Sequence, residues 1–160
     1  MQRIVFLTPQ FAVTGALERE DFALVAAQGF KSVLSNLPDG ESKRHPGAAE
    51  AAELAARAGL GFRHVPTTKS EIFGDAVVEG VDRALAELEA PVLAHCASGM
   101  RSAVAWAAAA ARSQPPDCVL AALQRAGFEF AALREEFEGQ HGRAHVTPVP
   151  GALDCGCDQL

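Results

Sequence analysis

The stretch Val92-Leu93-Ala94-His95-Cys96-Ala97-Ser98-Gly99-Met100-Arg101-Ser102 constrains the chain more than any other. Three apolar residues lead into His95-Cys96, small residues follow, and Arg101-Ser102 opens an alanine-rich run. That succession reads as a buried strand, a tight turn and a helix. It sets Cys96 at the carboxyl end of a strand beside a helix N-terminus, where anions are favoured. Loop N–H groups, the helix dipole and Arg101 all favour a thiolate there. Cys96 is therefore the candidate nucleophile.

The remaining pattern supplies a sheet for this unit. Phe11–Gly15, Lys31–Asn36, Phe62–Pro66 and Pro91–Ala94 read as strands, with Ile4–Leu7 as a further strand or a lead-in. Between and after them, helical spacing is expected over Glu18–Gln28, Gly47–Ala58, Asp75–Glu89, Ser102–Ser113, Asp117–Ala126 and Glu129–Glu138. Alternation of this kind predicts an α/β fold, a three-layer sandwich around a parallel sheet of four to five strands. Ligands in such sheets bind beyond the strand C-termini. Asn36–Glu41, Pro66–Asp75 and His95–Arg101 should therefore converge on one edge. Residues 1–139 are expected to form the catalytic domain. Residues 140–160, rich in Gly, Pro, His and Asp, are expected to form a loosely structured tail.

Composition narrows the function. A net charge of −6 and a pI near 5.3 exclude a nucleic-acid or anionic-membrane surface as the expected partner. No apolar run reaches the roughly 18–20 residues that span a bilayer, so a cytoplasmic protein is expected. The four cysteines are too few for a secreted disulfide framework in a chain this size. Cys118 reads as a core residue. Cys155 and Cys157 could form a resolving or sulfur-accepting pair, or bind a metal with His141 and His145, but their spacing matches no standard zinc pattern. Neither a metal nor a cofactor is expected.

Within the loop, Gly99 permits a positive φ, and Ala97, Ser98 and Met100 let successive N–H groups converge on an anion. Arg101 supplies a charged fork suited to oxyanions. Ser102 could bond the sulfur or cap the following helix, and His95 is expected to orient the loop through hydrogen bonds. Cys96 and Arg101 are thus the catalytic candidates, with His95, Ala97, Ser98, Gly99, Met100 and Ser102 around the substrate.

His95-Cys96-Ala97-Ser98-Gly99-Met100-Arg101-Ser102 resembles the active-site loop shared by cysteine phosphatases and rhodanese-type sulfurtransferases. Together with Phe11–Gly15, Glu20-Asp21-Phe22 and Asn36-Leu37-Pro38-Asp39-Gly40-Glu41, it resembles the phosphatase-like domain of the beta-lactamase-hydrolase-like family over residues 3–112. That resemblance implies a fold similar to dual-specificity phosphatases, in a family often labelled a sulfur transferase. It also implies a general acid from the loop before the long helix, for which Asp75 and Glu71 are the candidates. Asp39 reads as a turn residue.

Only four residues separate Cys96 from Arg101, where tyrosine and dual-specificity phosphatases carry five. Four is the rhodanese length. Leu37 also stands where members of the resembling family often carry arginine. These departures make sulfur transfer through a Cys96 persulfide the leading expectation, with a thiol or small-molecule sulfur donor and acceptor as partners. The alternative is a phosphatase that passes through a Cys96 phosphocysteine on a phosphorylated substrate. A third reading is an anion-binding module without turnover.

Overall fold

The structure, a computed structural model, describes residues 1–146. A five-stranded sheet runs in the order β1-β2-β5-β3-β4, built from β1 (Val5–Thr8), β2 (Phe11–Thr14), β3 (Ser32–Ser35), β4 (Gly61–His64) and β5 (Val92–His95). Strands β2, β5, β3 and β4 are parallel, while β1 turns back antiparallel on β2. Among the described residues there are six α-helices: α1 (Asp21–Ala27), α2 (Ala48–Arg57), α3 (Asp75–Glu87), α4 (Met100–Ala111), α5 (Pro116–Arg125) and α6 (Arg134–Gln140). The α/β sandwich is therefore present, with the antiparallel edge strand as its one departure from a purely parallel sheet.

Strand periodicity makes the layers. Successive side chains point to opposite faces, so Val33 and Leu93 join one buried cluster with α1 and α2. Leu34 and Ala94 join the other, with α3, α4, α5 and α6. A sheet covered on both faces reads as unbroken apolar runs, and all four residues of β5 are buried. Its central position aligns the strand ends: His95 lies level with Thr14 of β2 and Ser35 of β3, and Ser35 lies level with His64 of β4. The loops that follow these strands leave from one edge.

The C-terminal boundary differs from expectation. Gly127 ends α5, and a single 3-10 turn (Ala131–Leu133) precedes the short α6. Residues 140–146 are not loose. The Arg112 guanidinium donates to Gln140 Oε1 at 3.0 Å and to the Ala144 carbonyl at 2.9 Å. Gly142 N–H donates to the Arg112 carbonyl at 3.0 Å, and Val146 N–H donates to Asp82 at 2.7 Å. A buried arginine needs several acceptors, and this segment supplies them. Cys155 and Cys157 lie outside the described residues.

Candidate active site

Cys96 is the first residue beyond β5, a free thiol with no exposed surface. The chain then turns through Ala97 and Ser98 to Gly99, which has a φ of 91°. A Cβ at Gly99 would lie 3.3 Å from the Thr14 backbone, so both the conformation and the close approach call for glycine. Gly99 N–H points back at Cys96 Sγ, 3.1 Å away. The loop thus curls around the sulfur and enters α4 without a side-chain cap. Ala97, Ser98 and Met100 are exposed around its mouth.

Arg101 takes its place from two other strand ends. Its guanidinium grips the Glu41 carboxylate with both terminal nitrogens, one bond at 3.0 Å, and donates to the Thr67 carbonyl at 2.8 Å. The loops after β3, β4 and β5 therefore meet on one side chain, as the parallel sheet requires. The hydrogen bond from Arg101 holds the Glu41 carboxyl below its ordinary range, since donation to the charged form favours it.

Ser102 departs from both roles expected for it. Its hydroxyl neither reaches the sulfur nor caps α4 but donates to Asn36 Oδ1 at 2.8 Å. Asn36 in turn donates to the Val65 carbonyl at 3.0 Å and to Thr67 Oγ1 at 3.3 Å. Asn36, Thr67 and Ser102 are all buried. They form a polar tie beneath the loop, rigid because every member is satisfied. The sequence places Asn36, Thr67 and Glu41 on the converging edge but assigns none of them an individual role; polar residues just past apolar strands are the available signal.

His95 also corrects an expectation. Its ring does not orient the loop by hydrogen bonds: the side chain is 3 % exposed, and neither ring nitrogen has a partner among the described residues. Burial, followed by the nearby His64 and His45, pushes its pKa down to about 4, so the ring is neutral. The backbone carbonyl of His95, accepting from Asn36 N–H at 2.8 Å, is what joins it to the next strand.

Asp75 is not brought to the cradle. Its carboxylate accepts from Arg112 at 2.9 Å and from Arg143 at 3.3 Å. Arg112 caps the C-terminal end of α4, about 16 Å of helix beyond Arg101. Glu71 is exposed in the turn after Thr67, the residue whose carbonyl touches Arg101. Asp39 accepts from Ala48 N–H at 2.8 Å and so holds the start of α2. Cys118 is buried in α5. Among the described residues, no group of three or more His, Cys, Asp or Glu is arranged to hold a metal ion. No described helix is long and apolar enough to cross a membrane.

A buried thiol and an arginine at the two ends of the loop in a strand–loop–helix unit, on the carboxyl edge of a mostly parallel sheet, mark a cysteine-phosphatase-like fold. Residues 3–113 match the model of the beta-lactamase hydrolase-like protein, phosphatase-like domain, and the chain belongs to that family. Beta-lactamase hydrolase-like proteins of Xylella fastidiosa (strain 9a5c) and Agrobacterium fabrum are 34% and 32% identical over 105 and 100 residues. Those alignments cover 66% and 62% of this chain but only 24% and 23% of the relatives, so the chain spans about a quarter of their length. A candidate phosphatase of Neisseria meningitidis superposes with a TM-score of 0.72 at 28% identity, covering 86% of this chain and 98% of that one. The core catalytic domain of a PP-IP phosphatase from S. cerevisiae, in complex with citrate, superposes at 0.58 with 16% identity, over 86% and 84% of the two chains. The P. aeruginosa protein TpbA, in complex with pTyr, superposes at 0.57 with 19% identity, over 89% and 83%. These last two share the fold.

Proposed function

We propose that the protein is a phosphatase that uses Cys96 as nucleophile. The observation that carries this reading is the joint placement of Cys96 and Arg101 on one short loop, with Gly99 N–H aimed at the sulfur, in a chain of the phosphatase-like family. It reverses the order expected from loop length alone, where sulfur transfer came first.

In this mechanism the Cys96 thiolate attacks phosphorus in line, the P–O ester bond breaks, and the leaving alkoxide takes a proton. Loop N–H groups and Arg101 hold the non-bridging oxygens, an electrostatic arrangement worth most when it is preorganised. Ties from Glu41, Thr67 and Asn36 supply that preorganisation. Water then cleaves the phosphocysteine, releasing inorganic phosphate and restoring the thiolate. Of the two acids expected here, Glu71 is assigned the proton donation, because it belongs to the segment that touches Arg101 while Asp75 serves Arg112 and Arg143. The substrate is a phosphomonoester.

A second reading, sulfur transfer through a Cys96 persulfide, keeps one specific observation in its favour: the four-residue spacing between Cys96 and Arg101. One experiment separates the two. The purified protein is assayed for release of phosphate from an aryl phosphate, then weighed intact after that substrate and after thiosulfate. Hydrolysis that is lost in Cys96→Ser, with a phosphoryl adduct on Cys96 alone, is the expected result. A mass gain of one sulfur atom from thiosulfate, with no hydrolysis, would establish the second reading instead. Anion binding without either reaction, undisturbed by Cys96→Ser, would mark a module without turnover. Glu71→Gln should lower kcat on an alkyl phosphate by about 10²-fold or more while sparing a good aryl leaving group, and Asp75→Asn should leave kcat within about twofold.

A further inference from the structure

The outer face of the cysteine loop is held by a segment that the mechanism does not use. The Ala97 carbonyl accepts from Ala16 N–H at 3.3 Å and from Gln2 Nε2 at 3.3 Å. Gln2 reaches it by lying directly over Gly15. A Cβ on Gly15 would fall 1.9 Å from Gln2 Oε1 and 2.3 Å from Nε2. The backbone of this segment is anchored too. The buried Thr14 hydroxyl faces the Gln2 and Arg3 carbonyls at 3.2 and 3.1 Å. A carbonyl only accepts hydrogen bonds, so the amino end of the Gln2 side chain must face Ala97.

A trans peptide is planar, and its C=O and the following N–H point in opposite directions. Fixing the Ala97 carbonyl outward, against Gln2 and Ala16, therefore turns the Ser98 N–H inward. Gly99 N–H already points that way, toward Cys96 Sγ. We infer that Gln2, admitted by the missing side chain of Gly15, is a positioning residue that aims the Ser98 N–H into the oxyanion site. The inference rests on the reading of this loop as an oxyanion cradle. It assigns Gln2 no contact with substrate.

The test uses inorganic phosphate as probe, with calorimetric affinity, the Ser98 amide resonance and kcat/KM on an aryl phosphate as readouts. Gln2→Met keeps the length of the side chain and removes its donor; Gln2→Lys restores a donor. Expected are phosphate affinity and kcat/KM about three- to tenfold lower in Gln2→Met, the loss typical of one hydrogen bond. Partial recovery should follow in Gln2→Lys. The Ser98 amide shift should change in Gln2→Met before any phosphate is added, with the melting temperature unmoved. Gly15→Ala should show the same loss, and adding Gln2→Ala to it should cost nothing further, because both changes remove one contact. Wild-type affinity and kcat/KM in Gln2→Met, or an unmoved Ser98 amide, would overturn the inference while leaving the cradle intact. Absence of phosphate binding by the wild-type protein would overturn the cradle and the inference together.

Discussion

His95 shows how much one side chain can depend on its layer. It precedes Cys96, yet its ring is buried with neither nitrogen partnered among the described residues. Its pKa of about 4 in the fold lies well below the roughly 6.5 of an unfolded chain. Between those values the unfolded chain binds the proton and the folded one does not. The stability tied to a neutral His95 is therefore complete above about pH 6.5 and is lost as pH falls toward 4, by about 3 kcal/mol in all. His95→Asn should flatten this part of the pH dependence, read as urea midpoints from pH 7 to pH 4. An unchanged slope would mean that the imidazole is protonated in the fold. Glu41 adds a smaller effect of the same sign at lower pH: its pair with Arg101 is whole above the ordinary carboxylate range and breaks on protonation.

Helix α4 carries Arg101 at one end and Arg112 at the other, and its composition follows from where it lies. Every residue from Ser102 to Ala109 is buried, as is Ala111. It packs against α3, α5 and α6 on one side and touches β2 on the other, where Trp106 stacks on Phe11 with ring centroids 5.9 Å apart. A helix with neighbours on most sides has room mainly for small side chains, which explains the alanine-rich run. Ala107 has no exposed surface. Ala107→Leu should therefore cost about 1–3 kcal/mol through overpacking, lowering the urea midpoint without altering the denaturant slope. A cost near zero would show slack in this interface that the close burial does not suggest.

Across the whole molecule, Arg112 joins parts that are far apart in sequence. Its buried guanidinium binds Asp75 at the start of α3, Gln140 at the end of α6, and the Ala144 carbonyl. Removing the guanidinium strands the buried Gln140 amide oxygen, a loss of about 1–3 kcal/mol. Arg112→Met should thus lower stability by that amount and speed tryptic cleavage after Arg143, since the 141–146 segment loses its anchors. Stability reduced with cleavage unchanged would locate the effect in α3 and α4 alone. This clamp lies at the opposite end of α4 from Arg101, so kcat should change little.

The layers, the order of elements and the Cys96–Arg101 pair were legible in the sequence, because they follow from local patterns: apolar periodicity, glycine punctuation and the spacing Cys96-x4-Arg101. Glu71 and Asp75, both near the start of α3, were general-acid candidates through the family resemblance and not through any local pattern. Tertiary structure decided what each polar side chain faces. It gave Ser102 to Asn36 rather than to sulfur, Glu41 to Arg101, Asp75 to Arg112, and Gln2 to the Ala97 carbonyl. The physical reason is range. Burial and periodicity are set within a few residues, whereas these hydrogen bonds join residues from 37 to 95 positions apart, and their partners exist only once the fold has brought distant segments together.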